Sequence, residues 1–263
     1  MTKLSWDVVG ERFYETGIDR GVIYLDDEDG VAWSGLTAVS ESPTGGDARP
    51  FYLDGVKYLN VPSQEEYKAN IQAFTYPDIF ATCDGTVRVR SGLFITQQQR
   101  KSFGFSYRTR IGNDVNGSDH GYKIHIIYNA LATPSQRSNK SLGESADPSD
   151  FSWDITTLAP PMPGYKRTAH VIIDSRYTNP LTMSDIENIL YGTDIAPARI
   201  PTLDELIVIF DTDATLVITD NGDGTWTANG PDDIIQMLDA TSFQITSASA
   251  VFIDADSYTI SSL

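Results

Sequence analysis

Alternation of apolar and polar residues marks the centre of this chain. Phe103, Phe105 and Tyr107 alternate with Gly104, Ser106 and Arg108, and Tyr122, Ile124, Ile126 and Tyr128 alternate with Lys123, His125, Ile127 and Asn129. Successive side chains of a strand point to opposite faces, so the pattern predicts two long antiparallel strands. They are joined across Gly112 to Gly121, a stretch of turn residues that includes Asn116-Gly117. One face of this ribbon is apolar and the other polar and cationic.

The same reading predicts strands at Arg20 to Leu25, Val31 to Val39 and Phe51 to Leu59. The Gly- and Pro-rich loop Ser40 to Pro50 would be the mobile tip of a long hairpin between the last two. Ser63 and Glu66 have capping-box spacing, and Tyr67, Ile71 and Phe74 fall on one helical stripe, so a helix is expected before Pro77. Further strands are expected at Val87 to Ile95, Phe151 to Thr156 and Ala169 to Asp174. Ser135 to Asp150 is a long polar loop, a length usually functional or disordered. Ser184 with Glu187 and Thr202 with Glu205 would cap two short helices, the first stopped by Gly192.

A boundary falls near Phe210 to Asp213, dividing a main domain, 1–210, from an extension, 211–263. The extension reads as ββαββ. Strands at Thr215 to Thr219 and Thr225 to Ala228 flank the turn Asp220 to Gly224, and a helix from Pro231 to Leu238 follows. Strands at Ser242 to Thr246 and Ala250 to Ile253, with a third at Tyr258 to Ile260, close it. There is no internal repeat and no heptad pattern.

Composition narrows the function. The chain has 263 residues and a net charge of −17. Such a surface disfavours dedicated nucleic-acid binding, which needs a cationic footprint, and disfavours anionic membranes equally. Cys83 is the single cysteine, so an intramolecular disulfide framework and a cysteine zinc cluster are excluded, and a buried free thiol is expected. The N-terminus shows no secretory h-region, and no apolar run approaches a bilayer span. This predicts a soluble protein synthesised in the cytoplasm.

Candidate chemistry is sparse. The three histidines, His120, His125 and His170, lie in no zincin pattern and read as ordinary surface or interface residues. Ser118, Asp119 and His120 are adjacent in a turn and cannot form a nucleophile, base and orienter line. An EF-hand loop starting at Asp220 would need its bidentate Glu where Pro231 stands, so Asp220 to Gly224 reads as a hairpin turn rather than a calcium site. Charge placement is more informative. Arg88, Arg90, Arg108, Arg110 and Lys123 all fall on polar strand faces of an acidic chain. Two readings stay open: solvated or locally paired side chains, worth little, or a subunit interface where guanidinium forks meet a neighbour's acids.

The segments WDVVGERFYETGIDRGVIYL, VAWSGLTAVSESPTGG, YLDGVKYLNVPSQEEY, AFTYPDIFATCDG, RKSFGFSYRTRIGNDVNGSDHGYKIHIIYNALATPS, FSWDITTLAP and IENILYGTD resemble major tail proteins of long-tailed, non-contractile bacteriophages, particularly those of actinobacteria. DNGDGTWTANGPDDIIQMLDATSFQI and VFIDADSYTISSL resemble a C-terminal extension found in some of them. The specificity lies in the number and order of segments, since none is a catalytic signature. The resemblance implies a mainly β tail tube fold, two antiparallel sheets packed roughly crosswise with a flanking helix, and a small α+β appendage. It implies subunits closing into six-membered rings that stack into a tube of the virion tail. Its partners would be further copies of the chain, with tape-measure, tail-terminator and baseplate proteins, and DNA would pass without adhering. It implies no catalytic residue, cofactor or metal.

Six copies at −17 would carry about −102 per ring, a field that repels phosphate. The lumen is therefore expected to be net acidic, with the strand arginines engaged at subunit contacts. Ring stacking is expected at three loops, with Ser42, Gly45 and Asp47 in the first, Asp114, Asn116 and Asp119 in the second, and Asn139 and Glu144 in the third. The extension is expected outside the tube. A second class of function is a carbohydrate- or receptor-binding module using Trp33, Trp153 and Trp226, although tryptophans of β proteins are more often core. A hydrolase is a third class, but no carboxylate pair stands out by spacing.

Overall fold

The computed structural model describes residues 4–26, 28–135, 137, 139, 141, 150–213, 217–220, 226–229, 235–237, 243–245 and 251–252, with side chains described up to 210. The described residues are mainly β, with two α-helices. It divides into two compact units, Met1–Thr178 with Ile186–Pro201, and Asn179–Asp185 with Thr202–Leu263.

The first unit is built on the central ribbon. In chain order its strands are β1 (Phe13–Tyr24), β2 (Val31–Trp33), β3 (Leu36–Glu41), β4 (Ala48–Leu53), β5 (Val56–Pro62), β6 (Lys68–Ala73), β7 (Val87–Arg90), β8 (Leu93–Ile95), β9 (Phe103–Asn113), β10 (Gly117–Ala132), β11 (Phe151–Thr157) and β12 (His170–Asp174). β9 and β10 form the expected hairpin, but the strands run closer together than Gly112 to Gly121 suggested, leaving a turn of Asp114 to Asn116. An antiparallel sheet follows the order β2-β1-β9-β10-β11-β6-β3, with β12 also paired to β10.

Two details close this sheet on itself. The end strands β2 and β3 are consecutive and separated only by Ser34 and Gly35, so the sheet curls until its ends adjoin. Gly35 takes φ +83°, a left-handed turn that favours glycine. On β10 the register slips between Ile127 and Ala130, where Asn129 adopts φ +48°. Asparagine tolerates that region, and the bulge bends the strand so that it pairs with β12 through Lys123 to Ile127 and with β11 from Ala130 onward.

The enclosed face holds an aromatic core. Trp33 packs against Phe80, Phe105 and Trp153 at centroid separations of 4.6, 5.5 and 5.6 Å. The Trp33 indole donates to the Thr75 carbonyl at 2.9 Å, which satisfies its one polar atom. Cys83 is buried in the same cluster, and burial pushes its thiol up to about 12, so it is inert as expected of a structural free cysteine. The expected division into one apolar and one cationic face does not hold: Phe105 and Tyr107 lie opposite Ile127 and His125, while the buried Ile124 and Ile126 lie opposite Arg108 and Ser106 on the other face. Tyr24 hydrogen-bonds Ser106 Oγ at 2.9 Å and donates to the Leu190 carbonyl at 2.8 Å, so the stretch from Ile186 onward covers part of that face.

Several expectations are corrected. Ser63 to Phe74 is not a helix. Ala69, Ile71 and Ala73 are buried while Gln72 is exposed, and the segment pairs with β3 and β11 as strand β6. Val31 to Val39 is two strands facing different partners. Ser40 to Pro50 is not the tip of a hairpin. β3 pairs with β6, and β4 pairs with β5 through a turn at Asp54-Gly55. Val87 to Ile95 is a short hairpin, β7 to β8, turned by Ser91-Gly92.

The first helix, α1 (Pro180–Tyr191), begins before Ser184. Asn179 accepts from the Leu181 N–H at 2.9 Å and Pro180 occupies the first turn, a stronger N-terminus than Ser184 offers. The α2 helix (Leu203–Asp213) has the expected reciprocal capping box. Glu205 N–H donates to Thr202 Oγ1 at 3.1 Å, and Thr202 N–H donates to Glu205 at 3.4 Å.

Beyond α2 the described backbone forms β13 (Val217–Asp220) paired with β14 (Trp226–Asn229), then β15 (Ile235–Met237), β16 (Phe243–Ile245) and β17 (Val251–Phe252) in a second small sheet. Ile235–Met237 is therefore strand where a helix to Leu238 was expected. Asn221 to Gly224 and Tyr258 to Ile260 lie outside the described residues. No described helix is long and apolar enough to cross a membrane.

Candidate functional site

The five strand cations separate into two groups. Arg108 donates two hydrogen bonds to Asp19, at 2.6 and 2.8 Å, in a fork-to-carboxylate pair between adjacent strands β9 and β1. Arg110 reaches the same carboxylate at 3.1 Å and Asp119 at 3.9 Å. Hydrogen bonds from Arg108, helped by Arg110, hold the Asp19 carboxyl below the usual carboxylate range despite partial burial. Lys123 pairs with Glu15. These three cations are engaged within the chain.

Arg88 and Arg90 behave differently. Arg88 donates to Ser91 Oγ at 3.2 Å and Arg90 to the Val89 carbonyl at 2.9 Å, and neither meets a carboxylate among the described residues. Both lie on the exposed β7–β8 hairpin with Val87, Val89, Leu93, Phe94 and Ile95, which are also exposed.

The β4–β5 hairpin repeats the theme. Phe51, Tyr52, Leu53, Val56, Tyr58, Leu59 and Val61 are all exposed. Adjacent strand residues point to opposite faces, so this hairpin is apolar and bare on both of its faces. Among the described residues each hairpin pairs only with itself, leaving free ladder edges. An isolated two-stranded hairpin is marginal in water, and a dozen exposed large apolar side chains call for a cover. Sequence reasoning missed this surface, because Phe51 to Leu59 reads as a single strand in a long hairpin with Val31 to Val39 rather than as a hairpin of its own.

The stacking candidates are dispersed. Ser42 and Asp47 are tied to β6 and Ser63 by backbone hydrogen bonds, Ser42 N–H to the Lys68 carbonyl at 2.8 Å and Ser63 N–H to the Asp47 carbonyl at 3.0 Å. Gly45, at φ +88°, packs so tightly that a Cβ would lie 2.3 Å from the Gln64 carbonyl oxygen. This segment is pinned, not a free tip. Asp114 accepts from the Gly10 N–H at 2.9 Å, Asn116 donates its N–H to Asn113, and Asp119 is exposed. Asn139 is exposed, and Glu144 lies outside the described residues.

His125 and His170, expected as ordinary surface or interface residues, come together in the structure, His125 buried and His170 half-buried. His125 Nδ1 and His170 Nε2 are 3.1 Å apart, because β10 and β12 are neighbours and Ile127 pairs with His170. Glu41, at the end of β3, lies 3.6 Å from His125 Nδ1 and accepts from the Tyr107 hydroxyl at 2.8 Å. Burial, then the neighbouring His170, lowers His125 to about 4, so it is neutral near pH 7. Burial also lowers His170. The two lie 45 residues apart, so no local spacing could reveal the pair. Trp33 and Trp153 are buried, which removes two of the three candidate tryptophans, Trp33, Trp153 and Trp226, from any sugar-stacking platform.

A scan against protein-family models gives no match, and no curated protein matches the chain. Similar solved structures come from contractile injection systems. A chain of the anti-feeding prophage baseplate is 10% identical and aligns over 65% of this chain and 97% of that one, with a TM-score of 0.34. A chain of the sheath–tube complex of the extracellular contractile injection system PVC, in its extended state, is 14% identical over 65% of this chain and 93% of that one, with a TM-score of 0.29. A chain of the anti-feeding prophage cap that terminates the tube is 14% identical over 66% and 96%, with a TM-score of 0.30.

Proposed function

We propose that this chain is a structural virion protein that assembles with copies of itself into the tail tube of a long-tailed, non-contractile bacteriophage. The observation that carries the reading is the pair of bare apolar hairpins, β4–β5 and β7–β8, projecting from a closed β core. The occupant that fits them is a second copy. Arg88 and Arg90 are cations that meet no carboxylate among the described residues, and a chain of net charge −17 supplies acids in abundance on its own neighbours. The ordered segments from WDVVGERFYETGIDRGVIYL to IENILYGTD, with their resemblance to major tail proteins, support the same reading.

In this account the hairpins add their strands and apolar faces to adjacent subunits, which cover the free edges. Rings of six stack into a tube that holds the tape-measure protein during assembly and lets DNA through during infection. The work is mechanical, not catalytic. Arg108, Arg110 and Lys123 brace the subunit from within, and Arg88 and Arg90 bridge subunits. A net acidic lumen keeps phosphate from adhering, since each free cation facing the channel would add a salt-dependent attraction.

Sedimentation velocity on the purified chain tests this. Wild type should form high-mass species, and Arg88→Glu with Arg90→Glu should shift them toward monomer while leaving the thermal midpoint unchanged. Monomeric wild type at all accessible concentrations would refute the proposal.

A further inference from the structure

We propose that Glu41, His125 and His170 form a binding site for a divalent transition metal of the zinc class. The three residues come from three strands, β3, β10 and β12, and one donor atom from each lies within 4.8 Å of the others. Two imidazoles and a carboxylate are a donor set suited to Zn2+.

The distances fit an ion. Zinc bonds of about 2.0–2.2 Å in tetrahedral arrangement place neighbouring donor atoms about 3.3 Å apart. His125 Nδ1 lies 3.1 Å from His170 Nε2 and 3.6 Å from Glu41 Oε1. Glu41 is the most exposed of the three and ends its strand, so it has the freedom to close on the ion.

The surroundings orient these donors. His125 Nε2 is 3.1 Å from Thr109 Oγ1, an acceptor for the N–H of the tautomer that frees Nδ1 for a metal. The Tyr107 ring stacks on the His125 ring at 4.5 Å and 5°, while its hydroxyl donates to Glu41. Tyr67 stacks on His170 at 4.5 Å. The Tyr67 hydroxyl lies beside Glu41 and Tyr107 in the same buried cluster. The carboxylate charge partly compensates the charge of the ion.

Access is also provided, since His170 lines an open cleft of about 530 Å³ together with Glu65, Glu66 and Arg167. A bound ion would join three strands that lie far apart in the chain, and so act as a staple on the closed sheet.

The test uses tag-free, full-length protein stripped with EDTA and titrated with Zn2+ by calorimetry, with Co2+ as a spectroscopic probe. The expected result is one site per chain, a rise in melting temperature with Zn2+, and the intense visible bands of tetrahedral Co2+. Glu41→Gln and His170→Asn should each weaken binding by about a hundredfold or more, since loss of even an outer-shell partner costs 10- to 100-fold. Both residues are partly accessible, and circular dichroism checks that the variants fold. His120→Ala, outside the cluster, should bind as wild type. Absence of one-to-one binding, or unchanged affinity in both Glu41→Gln and His170→Asn, would overturn the assignment.

Discussion

Replacing Tyr58 by Thr should separate assembly from folding. Tyr58 is 71% exposed. It falls at the β4–β5 register shift, where neither Leu59↔Phe51 nor Lys57↔Tyr52 includes it, so its loss breaks no ladder pair. An aromatic side chain buries about 200 Å² when fully covered, which leaves roughly 140 Å² of Tyr58 for a neighbour to cover. At about 25 cal/mol per Å² that contact is worth at most roughly 3.5 kcal/mol. A threonine keeps about a third of the area, so each subunit contact should lose about 2 kcal/mol, or roughly 30-fold in affinity. Threonine retains β propensity, and an exposed substitution should change monomer stability by less than about 0.5 kcal/mol. Sedimentation velocity across a dilution series measures the assembly midpoint, and urea denaturation of the dilute chain measures stability. An unmoved assembly midpoint would show that this hairpin is not a contact. A collapse in monomer stability would show that it is part of the core.

Three further outcomes follow from the subunit itself. His125 titrates at about 4 when folded and near 6.5 when unfolded, so the unfolded chain binds the extra proton between those values. Stability of the EDTA-treated chain should be fully present above about pH 6.5 and fall by roughly 3 kcal/mol as pH drops to about 4; a flat urea midpoint through this window in wild type, compared with His125→Gln, would contradict it. Asp19→Ala strips the fork from Arg108 and should cost about 1–2 kcal/mol, reduced from the fully buried case because both partners are partly exposed; a double-mutant cycle with Arg108→Ala checks the coupling. Trp153→Ala empties the centre of the aromatic cluster and should cost about 3–5 kcal/mol in urea denaturation.

The two strands of the ribbon were legible in the sequence because β9 and β10 both alternate over many residues, but their register was not: Ile124 and Ile126 pair with Arg108 and Ser106, so they lie on the face opposite Phe105 and Tyr107. The segment from Tyr67 to Phe74 was not legible either. Tyr67, Ile71 and Phe74 satisfy helical spacing, and Ser63 with Glu66 happens to match a capping box. The deciding positions, Ala69 and Ala73, are small residues that signal burial weakly, yet they sit on the inward face of β6 with Ile71. Ile235–Met237 failed for a related reason, since a proline followed by acids reads as a helix start whatever the following residues pair with. The histidine cluster depends on strand register between β10 and β12 and on a sheet that curls to bring β3 near, neither of which is local. The bare hairpins were hidden because apolar alternation announces a strand without saying whether solvent, a core or another subunit covers it.

Negative-stain electron microscopy of the purified full-length chain tests the central claim most directly. The account predicts closed rings of uniform diameter that stack into hollow tubes as concentration rises. A field of single compact particles with no rings or tubes at any concentration would contradict it.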